Sequence, residues 1–367
     1  MNGLKAYNGR KRLFGLAAAG AIAVAATTLY LCRQDVFGAA VKPQITEHKT
    51  ERSAWIADWR WEAGVADLEA VAGGLTSLQM FAAYFDPSDR LLITEDFRDA
   101  LPQIREIAVR KELKELYLTL VNDIVFPDET ASQKDPGLVS RLVADWSSRK
   151  RHIDEIVDIV DTIGLSGVEL DYERVAENDW PHFVQLIREL QARLNTKGKS
   201  LRVVFEPRAP IEKLDLPEGP TYVMMAYNLY GGHSGPGPKA DDAFIAKHAA
   251  RMKKLPGSPY IALATGGFDW QLETGKAVGI TEGQAAKLAE RSSSAPLRDG
   301  SSGGLRFDYK DSNQAKHTVW YADGTTLAQW INAAKNAGIY NIAIWKLDEL
   351  SPESLNQLRS SSSHYVE

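Results

Sequence analysis

One cysteine, Cys32, occurs among 367 residues, which excludes a disulfide framework and a cysteine-built metal site within the chain. The seven histidines are scattered, with no His-Glu-x-x-His pair and no glycine-rich phosphate cradle, so no metal or nucleotide cofactor is expected. Positive charge is also scarce: 43 Lys and Arg stand against 48 Asp and Glu, a formal charge of −5. Binding a polyanion needs the opposite sign, so nucleic acid is disfavoured as a partner and a neutral or weakly charged polymer suits the chain better.

Long apolar runs are absent but for one. Lys5, Arg10, Lys11 and Arg12 precede residues 13–32, which carry no charge. As a helix this run spans about 30 Å, the thickness of a bilayer core, whereas the apolar part of a signal peptide runs to about 7–15 residues. Length favours a transmembrane anchor, while Ala23-Val24-Ala25 offers a cleavage site for a signal peptide. Leu29-Tyr30-Leu31-Cys32 is a poor lipid-attachment site because Leu31 is bulky. Under either main reading the basic residues 1–12 stay cytoplasmic and the rest faces the cell envelope, held by one helix or secreted. Without the four basic residues of this leader the charge falls from −5 to −9. Residues 33–53 read as a polar linker and 359–367 as a tail, which leaves one domain at 54–358, expected as a monomer.

What is present is a column of acids. Ser166-Gly167-Val168-Glu169-Leu170-Asp171-Tyr172-Glu173 places carboxylates at every second position of an apolar segment. In a strand, Glu169, Asp171 and Glu173 share one face at about 6.5 Å spacing, and Val168, Leu170 and Tyr172 share the other. Carboxylates buried side by side without partners are costly, so the column must face water or a polar cavity that holds protons between the groups. Such crowding raises at least one pKa and lets a carboxylic acid donate its proton near neutral pH. Acid alternation alone also fits a solvated edge strand.

The surrounding pattern argues against an edge. Eight apolar runs, over 55–59, 78–85, 116–122, 167–173, 201–208, 222–228, 260–266 and 341–347, alternate with amphipathic stretches at 102–113, 137–163, 180–194, 240–254 and 325–337. The count predicts an α/β fold, a (β/α)8 TIM barrel, with an open doubly wound sheet as the alternative. Several runs end in polar or aromatic residues: Asp58 and Trp59, Tyr84, Asn122, Glu206 and Arg208, Tyr227 and Asn228, Trp345 and Lys346. Such barrels build their active sites at that face.

At these residues the chain resembles the family 18 glycoside hydrolases, whose fourth barrel strand carries Asp-x-x-Asp-x-Asp-x-Glu; the match here is Ser166-x-x-Glu169-x-Asp171-x-Glu173. A second motif of that family, Met-x-Tyr-Asp, matches Met225-Ala226-Tyr227-Asn228, and a tryptophan closing the eighth strand matches Trp345. Ser166, Glu169 and Asn228 depart from the family pattern, and the amide of Asn228 can hydrogen-bond but cannot change charge. The resemblance spans 54–358, and the stretch 267–324 is similar to the small α+β insertion between strands seven and eight of peptidoglycan-acting members.

The resemblance implies substrate-assisted, retaining hydrolysis of β-linked N-acetylglucosamine-containing glycans, with Glu173, Asp171 and Tyr227 catalytic. Substrate contacts are then expected from Trp345, Glu169, Asn228, Asp58, Tyr84, Glu206 and Arg208, of which Asp58, Glu206 and Arg208 could equally serve in structural ion pairs and Asn228 in structural hydrogen bonds. Peptidoglycan, chitin and related polymers all fit. Two other readings stay open: a noncatalytic glycan-binding barrel of the envelope, and a hydrolase with Glu206 as a protein nucleophile.

Overall fold

The structure, a computed structural model, describes residues 50–128 and 130–359. Leader and anchor lie outside these residues, as do the linker up to residue 49 and the tail from residue 360, Arg359 ending a helix instead; among the described residues no helix is long and apolar enough to cross a membrane.

All eight expected strands form. They are β1 (Arg52–Ala57), β2 (Ser77–Phe85), β3 (Glu115–Val125), β4 (Gly167–Asp171), β5 (Ser200–Phe205), β6 (Thr221–Met225), β7 (Tyr260–Ala264) and β8 (Asn341–Trp345). Each pairs in parallel with its neighbours, and β8 returns to β1 with Ile344 opposite Ala54, so the sheet closes into a barrel. Closure excludes the open doubly wound alternative. Arg52 and Ser53, expected in the linker, begin the first strand.

Helices cover the outside, and their starts are written in the sequence. Thr94, Asp135, Asp145, Asp241 and Asp323 each accept a hydrogen bond from the backbone N–H three residues on. The cap at Asp145 corrects one expectation, because the stretch 137–163 is two helices, Pro136–Val143 and Trp146–Ile163, rather than one. Helices Trp61–Val71 and Pro352–Arg359 also form, the first too rich in Ala, Val and Gly to show a clear polar stripe.

Alternation along the strands divides the core in two. Val168, Leu170 and Tyr172 pack outward among the helices, whereas Trp55, Val121, Val204, Val223 and Ala343 fill the barrel interior. Between β7 and β8 the chain builds a separate five-stranded antiparallel sheet with the helix Glu282–Ala289. From the sequence alone this stretch reads as a helix over 281–291, a Gly- and Ser-rich loop and only two short strands. The turn into it needs Gly266, whose φ is +60 and whose added Cβ would lie 2.3 Å from the Ile280 carbonyl oxygen.

Candidate active site

Asp171 is the last residue of β4 and Glu173 lies two beyond it, so the strand delivers both acids to its C-terminal mouth. Tyr227 lies two residues beyond β6, and Trp345 ends β8. These four groups line one cavity of about 500 Å³, together with Tyr84 and Asn228.

Two devices fix the acid at 173. Asn122 donates its amide to the Glu173 carbonyl at 2.9 Å and accepts the Glu173 N–H at 3.0 Å. Glu206 accepts the N–H of Arg174, which has a φ of +56, at 2.9 Å. The side chain of Glu173 pairs with Lys134 at 3.3 Å, and Lys134 also lies 3.6 Å from Asp123. Burial opposes the charge on Lys134, but Asp171, Glu173 and Asp123 together hold its pKa above the ordinary lysine value.

Asp171 is buried, and its Oδ1 has no hydrogen-bond partner. Burial lifts its pKa well above the ordinary carboxyl range; Lys134 opposes this, and the negative Glu173, Glu169 and Asp123 add to it. Asp171 therefore keeps its proton to higher pH than an ordinary carboxyl, with the Lys134 ammonium balancing the negative charge around it. Tyr227 is buried beside them, its phenol kept protonated by burial and by the carboxylates.

An aromatic platform faces the acids. Trp345 meets Trp55 and Phe81 edge-on at ring distances of 6.0 and 5.0 Å, which fixes its plane and leaves part of the indole open to the cavity. Phe81 and Tyr84 both face inward because register shifts in β2 interrupt its alternation.

Four expected substrate contacts are found elsewhere. Glu169 is 0% exposed beneath the cavity, where it accepts from Trp55 Nε1 at 2.5 Å, Thr119 Oγ1 at 2.9 Å and Arg202 Nε at 2.9 Å. No surface of it is left for a sugar. Asp58 is also buried, accepting from Tyr84 Oη at 2.7 Å and Thr94 Oγ1 at 2.8 Å, so it orients Tyr84 rather than facing the cavity itself. Glu206 serves the backbone at Arg174 and does not line the cavity with Asp171 and Glu173, which removes it as a protein nucleophile. The side chain of Arg208 is 89% exposed and lines a different depression. Lys134 and Asp123 also line the cavity and are not among the residues the sequence points to; Asp123 lies near the end of β3, and Lys134 in the turn after the short strand Ala131–Ser132 that pairs with it.

Among the described residues no cluster of His, Cys, Asp and Glu has the arrangement of a metal site. The arrangement can donate and recover a proton at one point, above an apolar floor, with a neutral hydroxyl alongside.

Comparison with known proteins agrees with this geometry. Residues 132–349 match Glycosyl hydrolases family 18. The chain is 24% identical over 242 residues to the uncharacterized glycosylase YvbX of Bacillus subtilis, covering 62% of this chain and 70% of that protein. It is 25% identical over 239 residues to the cortical fragment-lytic enzyme of Bacillus anthracis, covering 59% of this chain and 54% of that one, so it spans about half the length of that relative. The Bacillus cereus spore cortex-lytic enzyme SleL superposes with a TM-score of 0.72 at 19% identity, over 88% of this chain and 76% of that one. A chitinase from Chromobacterium violaceum does so with a TM-score of 0.70 at 17% identity, over 84% and 98%. The chain thus belongs to glycosyl hydrolase family 18 and is a glycosidase built on a (β/α)8 barrel.

Proposed function

We propose that this glycosidase cleaves β-linked N-acetylglucosamine-containing glycans by substrate-assisted, retaining hydrolysis. The observation that carries the reading is the meeting of Asp171, Glu173, Tyr227 and Trp345 around one cavity. In this family the substrate's own 2-acetamido oxygen attacks C1, so a second protein carboxylate within reach is not needed. Glu173 takes up the proton held at Asp171 and passes it to the glycosidic oxygen as that bond breaks. Asp171 holds the acetamido N–H and balances the positive charge of the oxazolinium ring, and Tyr227 donates its hydroxyl to the acetamido oxygen. Glu173, now without its proton, draws one from water as that water attacks C1 and reopens the ring. Trp345 supports the sugar from below, its flat face matching the C–H groups of a pyranose.

The polymer this reading favours is peptidoglycan or a related wall glycan. Support comes from the basic and apolar leader, whose pattern is that of an export signal or anchor, and from relatives named cortical fragment-lytic enzymes. Glu173→Gln tests the enzyme against a noncatalytic glycan-binding barrel. Turnover of N-acetylglucosamine oligomers is expected to fall by about 10²–10⁴-fold while their binding persists. Unchanged turnover in that variant removes Glu173 from the reaction.

A further inference from the structure

The cleft continues past the acids. Trp59, Asn228 and Trp345 line the catalytic cavity on one side and a second chamber of about 420 Å³ on the other. The two chambers differ in charge. The first holds Asp123, Asp171 and Glu173 against the single cation Lys134. The second holds Lys239, Lys346 and Arg60 against Asp348.

Two of these three cations are already paired. Lys346 is bound to Asp348, and Arg60 contacts Asp348 at 2.9 Å and Glu349 at 3.1 Å. Lys239 is different. Its Nζ donates to the Thr265 carbonyl at 2.7 Å and lies 5.2 Å from the centre of the Phe268 ring, and among the described residues no carboxylate pairs with it. An ammonium has three protons to donate, and one acceptor is on hand. Burial and the neighbouring Lys346 lower its pKa to about 8, as befits a cation without a counter-charge.

The fold takes trouble to put it there. Leu229 N donates to the Lys239 carbonyl at 2.8 Å, closing the loop after β6 so that Lys239 returns to the cleft wall. Thr265, its acceptor, also exchanges hydrogen bonds with the main chain of Lys346, at 2.8 and 3.1 Å, directly after the sugar-supporting Trp345. A cation held half out of water beside a sugar site, short of both acceptor and counter-charge, is completed by an anionic group on the neighbouring sugar.

We propose that the second chamber is a subsite for a sugar bearing a carboxylate, and that Lys239 is the residue that meets it. The inference rests on the function proposed above and narrows its substrate class to glycans in which an N-acetylglucosamine adjoins an acidic sugar. Neutral chitin-like polymers leave Lys239 unanswered.

The test compares a tetrasaccharide of alternating N-acetylglucosamine and N-acetylmuramic acid with the same compound after reduction of its carboxyl groups to alcohols. For the unaltered protein, kcat/KM is expected to favour the acidic compound by about tenfold, the worth of one charge-assisted hydrogen bond. In Lys239→Met the ratio is expected to approach one, and Lys239→Arg is expected to restore most of it. A ratio that Lys239→Met leaves unchanged overturns the proposal. Calorimetry on Glu173→Gln and Glu173→Gln/Lys239→Met reads the same ratio from binding alone. If neither compound is hydrolysed yet the binding ratio depends on Lys239, the subsite stands and the proposed reaction falls. If both are hydrolysed without preference, or neither is bound, the subsite falls.

Discussion

Glu169 and Asp171 lie two residues apart on one face of one strand, yet their surroundings are opposite. Glu169 accepts three hydrogen bonds and is paired with the buried Arg202, which also lies 4.8 Å from the centre of the Tyr260 ring. Asp171, one storey higher, has an oxygen with no partner at all. The lower acid is satisfied and structural; the upper one is left unsatisfied where a substrate can complete it. A satisfied polar group rigidifies a core, whereas an unsatisfied one is a store of reactivity that the rest of the fold must stabilise.

Substitutions should separate the two storeys. Asp171→Asn is expected to lower turnover by about 10²-fold or more, the scale of one preorganised electrostatic contact, without loss of stability. The raised pKa of Asp171 gives the sign of the pH dependence. A carboxyl whose pKa is higher in the folded state than in the unfolded one contributes stability below the unfolded value and loses it as pH rises towards the folded value. Removing that carboxyl should therefore raise thermal stability near neutral pH, and the gain should vanish below about pH 4. Arg202→Met should do the reverse, costing roughly 3–5 kcal/mol in denaturant unfolding because it strands Glu169 in the interior. If both variants lose stability and activity alike, the division of the strand is wrong.

A subtler change sharpens the upper storey. Lys134 favours the ionised form of Asp171, so Lys134→Met should let Asp171 keep its proton to higher pH. The basic limb of the kcat/KM profile is expected to move up by on the order of one pH unit. A limb that stays in place, or moves down, assigns Lys134 to packing alone.

Much of this was legible in the sequence because it depends on local alternation. The column at 169, 171 and 173, the eight apolar runs and the aromatic end of β8 all follow from a period of two and from where strands stop. Depth was not legible. Whether Glu169 reaches the cavity depends on Arg202, 33 residues further along on β5, and register between strands is not written in either one. Asp58, Glu206 and Arg208 were read as facing substrate because they sit at strand ends, but the first two turn to a tyrosine hydroxyl and a backbone N–H, and Arg208 turns to solvent. Lys134 escaped notice because it stands in an irregular loop with a φ of +53, where no periodicity marks which way a side chain points. The insertion had more strands than expected because some are very short and exposed, such as Leu297–Arg298, and carry no alternating pattern.

The central claim is that the upper storey works with the substrate's acetamido group rather than with a second protein nucleophile. Its most direct test is the rate of cleavage of an N-acetylglucosamine tetramer against the same tetramer with its acetyl groups removed. Hydrolysis of the acetylated compound alone is expected, with inhibition by a thiazoline mimic of the oxazolinium ring. Comparable rates on both compounds, with no effect of the thiazoline, would contradict the claim.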